Sequence, residues 1–337
     1  MADLSTTYLG VKLQNPIILG ASSLVEDIET IKKIERAGIG AIVYRSLFEE
    51  QIHLESIQLD EKLGEYDERH AEMTSIFPEI KHAGAKEYLF NLTKMTKEVN
   101  VPVFASLNAI YDPTWIEYSG LIGRTGVAGL ELNFYDVPVN FNKSGAEIEE
   151  TQIKIFKEIK KNVNIPVCVK LSPFYCNPLN FIKKFDDAGA DGFVLFNRFF
   201  QPEIDIDKET YFYPFELSDE KDYHISLRFA GLLFGNIKAD IIASRGITDG
   251  NDVIKMLLAG ANSVQIVSAL YRNKSTHVTK MLETIESWMD FKGYKTLDDF
   301  RGKLSLKNID NKYAYQRAHY VDILMGSDEI LNRYPMT

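Results

Sequence analysis

The sequence predicts an α/β protein, a TIM (β/α)8 barrel with insertions at its C-terminal face. Three observations lead there. Short apolar runs alternate with amphipathic helical stretches at one period, the pattern of parallel βα units. About eight such runs can be read as strands, which favours a closed barrel over an open sheet. Residues 239–270 hold a strand–loop–helix–strand unit with a glycine-bearing turn just past each strand. In a barrel of parallel strands such turns lie at the C-terminal face, where backbone N–H groups can surround a phosphate.

In that unit the apolar run Ile241, Ile242, Ala243 stops at Ser244-Arg245-Gly246. Asp249 or Asn251 can cap a following helix, whose apolar face is Val253, Met256, Leu257 and Leu258. Gly260-Ala261 ends the helix, and residues 263–267 read as the last strand. A plain βαβ packing unit without ligand would leave the same pattern.

Earlier elements follow the same rhythm. A short hairpin turns at Gly10, and residues 17–19 form the first barrel strand, followed by the small residues Gly20, Ala21, Ser22 and Ser23. These let a flat ligand approach the backbone. Residues 41–45 form a second strand with the cation Arg45 at its end. Residues 49–82 are a long acidic segment without clear period, expected to be an active-site lid or insertion. The third, fourth, fifth and sixth strands are read at 101–106, 129–133, 165–171 and 192–197. Residues 199–223 are aromatic and acidic, an insertion expected to fold as a hairpin over the site.

The chain has 337 residues, with 45% hydrophobic and 26% charged residues, ordinary values for a soluble globular protein. No linker or low-complexity segment marks a boundary. Residues 1–337 are therefore expected to form one domain, with an N-terminal hairpin at about 6–14 and a C-terminal tail at about 293–337. The formal net charge of -10 argues against a nucleic-acid partner, because phosphate affinity needs clustered Lys and Arg. No apolar run approaches the roughly 20 residues that span a bilayer, so no membrane partner is expected. No signal peptide is visible, and the two cysteines, Cys168 and Cys176, make no disulfide framework. A cytoplasmic protein is the simplest expectation.

A barrel of this order gathers Ser22, Arg45, Asn108, Asn133, Lys170, Asn197, Gly246 and Ser268 at its C-terminal face. The set is rich in hydrogen-bond donors and has no metal-ligand spacing, so no metal is expected. No Ser-His-Asp set is visible among the scattered histidines. Lys170 stands out, because a Lys at the end of an interior strand must find an anion or an electron-rich acceptor. An ordinary Lys–Glu pair across the barrel mouth would satisfy it equally.

These residues resemble the dihydroorotate dehydrogenase family of FMN-dependent barrels. Asn15-Pro16 with Ala21-Ser22 is similar to the family's first strand and flavin-contacting turn. Glu131-Leu132-Asn133 resembles its fourth-strand motif, and Val169-Lys170-Leu171-Ser172-Pro173 the strand that bears its flavin-contacting lysine. Gly246-Ile247, residues 252–261, Gln265-Ile266 and Ser268-Ala269-Leu270 resemble its phosphate-binding strands, and residues 293–302 its closing segment. The resemblance implies an FMN cofactor held by Ala21, Ser22, Arg45, Asn108, Asn133, Lys170, Asn197, Arg245, Gly246, Val267 and Ser268. It implies a substrate held by Asn133, Asn197 and Arg198, with Lys170 near the flavin N1–C2 edge. It also implies a small-molecule substrate and a homodimer.

The departures fall where the substrate should sit. Soluble members follow the fourth-strand Leu-Asn with Ser-Cys-Pro-Asn, whose Cys is the base. Here the run is Asn133-Phe134-Tyr135-Asp136-Val137-Pro138, so Asp136 takes the place of the Cys and Pro138 that of a substrate-binding Asn. The family's Lys after strand two is Arg45, its Asn-Ser after strand six is Asn197-Arg198, and its Gly-Gly is Arg245-Gly246. Its Asn-rich loop is Glu72-Met73-Thr74-Ser75, without an Asn. Asp136 would need burial to work as a base near neutrality. Arg198 and Arg245 are added cations that could hold a carboxylate or the flavin phosphate. The expectation is an FMN-dependent oxidoreductase acting on a CH–CH group, as in dihydroorotate oxidation to orotate in pyrimidine biosynthesis. The competing readings are an oxidoreductase for another small anion and an FMN-binding barrel that has lost the reaction.

Overall fold

A computed structural model describes residues 2–53, 84–326 and 332. The expected lid at 49–82 and the run Glu72-Met73-Thr74-Ser75 therefore lie largely or wholly outside the described residues.

Eight parallel strands close into a barrel. They are β3 (Ile17–Leu19), β4 (Ala41–Phe48), β5 (Val103–Asn108), β6 (Gly129–Asn133), β7 (Val167–Leu171), β8 (Gly192–Leu195), β11 (Asp240–Ser244) and β12 (Ser263–Ile266). β8 pairs with β11, and β12 pairs back with β3, which completes the ring. The strands are apolar because both faces are covered, one by the barrel's own interior and the other by helices. The helices are α1 (Ile28–Arg36), α2 (Ala85–Glu98), α3 (Asp112–Ile122), α4 (Gly145–Asn162), α5 (Pro178–Asp187), α6 (Tyr223–Leu233), α7 (Gly250–Ala259), α8 (Ser268–Asn273), α9 (His277–Lys292) and α10 (Arg317–Met325). Among the described residues no helix is long and apolar enough to cross a membrane.

Local sequence explains where the helices begin. Asp27 accepts hydrogen bonds from the amides of Glu29 and Thr30 and starts α1. Ser144 and Glu147 form a capping box at α4. Asp249, and not Asn251, caps α7 by accepting from Asp252 N. The short α8 interrupts a stretch that the sequence pattern leaves unassigned.

A hairpin of β1 (Thr6–Tyr8) and β2 (Val11–Leu13) plugs the N-terminal mouth of the barrel. Its two-residue turn, Leu9-Gly10, has positive φ at both positions, 53° and 77°. Tyr8, Leu9 and Leu13 pack on the inward residues Ile18, Val43, Phe104, Cys168, Val194 and Ile242. A Cβ on Gly192 would lie 2.4 Å from Leu9 Cδ2, so the plug needs a glycine in that strand. The insertion after β8 folds as the antiparallel hairpin β9 (Glu203–Asp205) and β10 (Thr210–Phe212), as its aromatic and acidic composition suggested.

One register shift matters for the site. The pairing of β4 with β5 slips between Val43 and Ser46. Ala41 and Val43 point inward below the slip, and Ser46 does so above it, where its hydroxyl meets that of Ser106 at 2.8 Å. The slip turns Arg45 off the inward row.

Candidate active site

Inside the barrel a polar chain rises from the plug to the C-terminal mouth. Tyr8 Oη lies 3.6 Å from Cys168 Sγ and accepts from Gln265 Nε2 at 3.4 Å. Gln265 Nε2 also donates to Glu131 Oε2 at 2.7 Å. Lys170 Nζ lies 3.4 Å from Glu131 Oε1 and donates to Gln265 Oε1 at 3.5 Å. Strand alternation builds this chain: Glu131, Asn133, Cys168, Lys170 and Gln265 share the inward face of three strands. Glu131 is fully buried and Lys170 is 11% exposed, so the pair sits in low dielectric. Burial, followed by the neighbouring Cys168 and Glu131, pushes the Tyr8 phenol up. Burial and then the Glu131 charge push the Cys168 thiol up as well. Both therefore stay neutral.

Above Lys170 lies a cavity of about 420 Å³, open at the C-terminal mouth. That volume is within the range of small-molecule sites. Its floor is Lys170 and Gln265. One side is the turn after β3, Ala21-Ser22-Ser23, and another is the end of β12 with Ile266, Val267 and Ser268. The turn after β11, Ser244-Arg245-Gly246-Ile247, and the end of β8, Phe196-Asn197-Arg198, complete the frame. Phe48, Phe200, Phe215 and Tyr271 make the aromatic rim.

The turn after β11 is backbone-determined. Gly246 has φ 61°, and a Cβ there would lie 2.6 Å from Tyr223 N and 2.7 Å from Asp219 O. Arg245 also sits in the left-handed region, φ 76°, which costs a residue with a side chain about 1–3 kcal/mol. Both residues thus keep a backbone suited to glycine, although only one is glycine. The Arg245 guanidinium reaches back to Asn197 O at 3.5 Å and to Asp222 Oδ2 at 3.6 Å. Its Nε is buried without a partner among the described residues. Arg198 pairs through Nη2 with Glu216 Oε2 at 2.9 Å, while its Nη1 is likewise buried without a partner.

Of the site residues expected from the sequence, Ala21, Ser22, Lys170, Asn197, Arg198, Arg245, Gly246, Val267 and Ser268 meet on this wall. Asn133 stands behind it and accepts a 2.6 Å hydrogen bond from Asn197 Nδ2. Arg45 is elsewhere, 3.7 Å from Glu26 and over the ring of Tyr88. Asn108 ends β5 in register with Phe48 and is not on the wall. Asp136 is exposed and off the wall. Its charge is felt instead by Tyr175, whose phenol is raised chiefly by burial. On that loop it is Tyr135 that turns toward the mouth, stacking on Phe199 and accepting from Phe200 N at 3.1 Å. The sequence pattern gives Glu131 and Gln265 no site role of their own and does not point to Tyr8 or Glu216. Polar residues inside otherwise apolar strands were the available signal for Glu131 and Gln265.

The residues present suit a flat ligand with an anionic tail. Apolar side chains line it at Ala21, Phe196, Ile266 and Val267, and a cation lies on the floor. Two guanidinium groups with an unmatched N–H each border the same space. Among the described residues no group of His, Cys, Asp and Glu is gathered as for a metal ion.

Fold and site together define a (β/α)8 barrel with a cavity at its C-terminal mouth, over a buried lysine and against the turns of its last two strands. Comparison with known proteins gives the family. The dihydroorotate dehydrogenase family model matches residues 3–289, and the chain belongs to that family. A relative from Geobacter sp. (strain M21), named dihydroorotate dehydrogenase B (NAD(+)), catalytic subunit, is 25% identical over 321 residues, covering 90% of this chain and 99% of its own length. Proteins of the same name from Thermoplasma volcanium and Citrifermentans bemidjiense are 26% and 27% identical, covering 90% and 81% of this chain and 98% and 89% of their own lengths.

Proposed function

We propose that this protein is an FMN-dependent oxidoreductase of the dihydroorotate dehydrogenase type whose substrate end has diverged. The observation that carries the reading is the cavity itself: Lys170 on its floor, the left-handed Arg245-Gly246 turn on one side, and Ala21-Ser22 opposite the end of β12. Ser22, Lys170, Ser268 and the backbone at Gly246 and Val267 would hold FMN. When bound, FMN supplies a hydride acceptor for oxidation of a CH–CH bond. The chain's own residues do the rest. Lys170 supplies positive charge that favours the reduced, anionic form of the site's ligand. Asn197, fixed by Asn133, presents an amide to the substrate. The aromatic rim excludes water from the reacting carbon.

The base is the weak point of a dihydroorotate reaction here. Proton removal requires a group within hydrogen-bond reach of the substrate, and Asp136 faces solvent. Pro138 offers no side-chain hydrogen bond where the family uses an amide. Each lost bond inside a closed site costs about 1–3 kcal/mol. Dihydroorotate turnover is therefore expected to be weak or absent.

Anaerobic stopped-flow mixing of the FMN-loaded protein with dihydroorotate tests this. The expected result is reduction far slower than the roughly 10 per second of an ordinary enzyme. Reduction at that ordinary rate would refute divergence, and its loss in Asp136→Asn would then identify Asp136 as the base. The relatives are named as catalytic subunits, and this chain is likewise proposed to act as an oligomer, with a homodimer as the form expected on sizing.

A further inference from the structure

Arg198 and Arg245 approach the cavity from the ends of adjacent paired strands, β8 and β11. Arg245 bonds the carbonyl of Asn197, the residue just before Arg198. Arg198 is four-fifths buried, lies 5.5 Å from the centroid of the Phe200 ring, and pairs with Glu216. That pair uses a single carboxylate oxygen on Nη2 and leaves Nη1 without a partner among the described residues. A guanidinium prefers to meet a carboxylate with two parallel N–H donors. Glu216 is therefore an incomplete match, and its own side chain is 65% exposed. It is carried by an irregular stretch after β10 that reaches the mouth through Phe215, whose ring lies 6.1 Å from Phe200 and 6.3 Å from Tyr271.

We propose that Arg198, seconded by Arg245, is the carboxylate-holding end of the cavity, and that Glu216 occupies that place in the free protein as an internal competitor. The ligand class is a small planar carboxylate that engages both terminal nitrogens of Arg198 and displaces Glu216. This rests on the reading of the cavity as an oxidoreductase's substrate site, and it adds which groups take the anion and what must leave first. Glu216 then acts on specificity. A carboxylate that can present only one oxygen to the guanidinium gains nothing over Glu216, whereas one that presents both satisfies the idle Nη1.

The test is calorimetric titration with orotate, and separately with benzoate, of the wild type and of Glu216→Gln, Arg198→Gln and Arg198→Lys. Each is measured both loaded with FMN and FMN-free. Glu216→Gln should bind at least one of the two anions about tenfold more tightly, because a neutral amide competes poorly for a cation. Arg198→Gln should weaken that binding about tenfold or more, and Arg198→Lys should recover only part of it, having charge without the fork. Equal affinity of wild type and Glu216→Gln, or no binding of either anion to Glu216→Gln, overturns the proposal. So does full affinity in Arg198→Gln. Glu216 is exposed, so its variant should fold normally, and an unchanged melting temperature checks this. Failure to take up FMN would count against the flavin reading, while the FMN-free titrations still decide the roles of Arg198 and Glu216.

Discussion

Lys170→Ala should destabilise the protein as well as alter its chemistry. The Lys170 ammonium lies 3.4 Å from Glu131 Oε1, and Glu131 has no exposed surface. Removing the lysine leaves a buried carboxylate that, among the described residues, keeps only the bond from Gln265 Nε2. Breaking a buried pair by deleting one partner costs about 3–5 kcal/mol. A chain of 337 residues unfolds with an entropy of about 0.7 kcal/mol per kelvin, so the melting temperature should fall by about 4–7 °C. The double variant Lys170→Ala/Glu131→Gln removes the orphan charge and keeps an acceptor for Gln265. It should return to within about 1–2 °C of the wild type, the cost of an ordinary lost hydrogen bond. Differential scanning calorimetry on the four proteins of the cycle measures both shifts. Equal losses in single and double variants, or no loss in Lys170→Ala, would show that the ion pair does not support the barrel. On flavin-loaded samples a second readout is the midpoint potential, which should become more negative in Lys170→Ala.

Further expectations follow from the same geometry. Gly246→Ala puts a Cβ 2.6 Å from Tyr223 N at φ 61°, so it should lower the melting temperature and the FMN retained through gel filtration; unchanged retention would detach this turn from the cofactor. Cys168 is buried with its thiol pushed up by burial and by Glu131, whereas Cys176 is exposed. A thiol reagent should therefore titrate one cysteine quickly and the second only after unfolding, and two fast thiols would contradict the barrel interior described here. Burial pushes the Asp252 carboxyl up, but bonds from Thr248 and the Lys255 ammonium outweigh it and hold it below 3.8. Its folded value is depressed, so its stabilisation is full above about pH 5 and is lost as pH falls through 3.8 toward the folded value. Asp252→Asn should flatten the acid limb of a melting-temperature profile, and an unchanged slope would refute that assignment.

Most of the fold was legible because strands covered on both faces are written as apolar runs. β6, β7, β11 and β12 fall within a residue or two of where their runs place them. The cavity was legible where a residue's place follows from the end of its strand, as for Lys170, Arg198 and Gly246. It was illegible where backbone geometry intervenes. Period alone puts Arg45 inward, and the slip between Val43 and Ser46 turns it away. A simple offset equates Asp136 with a catalytic position, yet the loop after β6 turns Tyr135 to the mouth and leaves Asp136 in solvent. The Arg198–Glu216 contact joins residues 18 apart across a hairpin, a distance no local pattern encodes. The Lys–Glu alternative for Lys170 is present in the structure, with Glu131 below the ammonium, and the same side chain borders the cavity above it.

The measurement that bears most directly on the account is the FMN content of the purified protein, read from its visible spectrum before and after reconstitution with excess FMN and removal of the unbound fraction. A cavity built by Ala21, Ser22, Lys170, Gly246 and Ser268 for this cofactor should give about one FMN per chain, as expected for a ligand seated at a barrel's last two strands. Protein that stays colourless and takes up no FMN would contradict it.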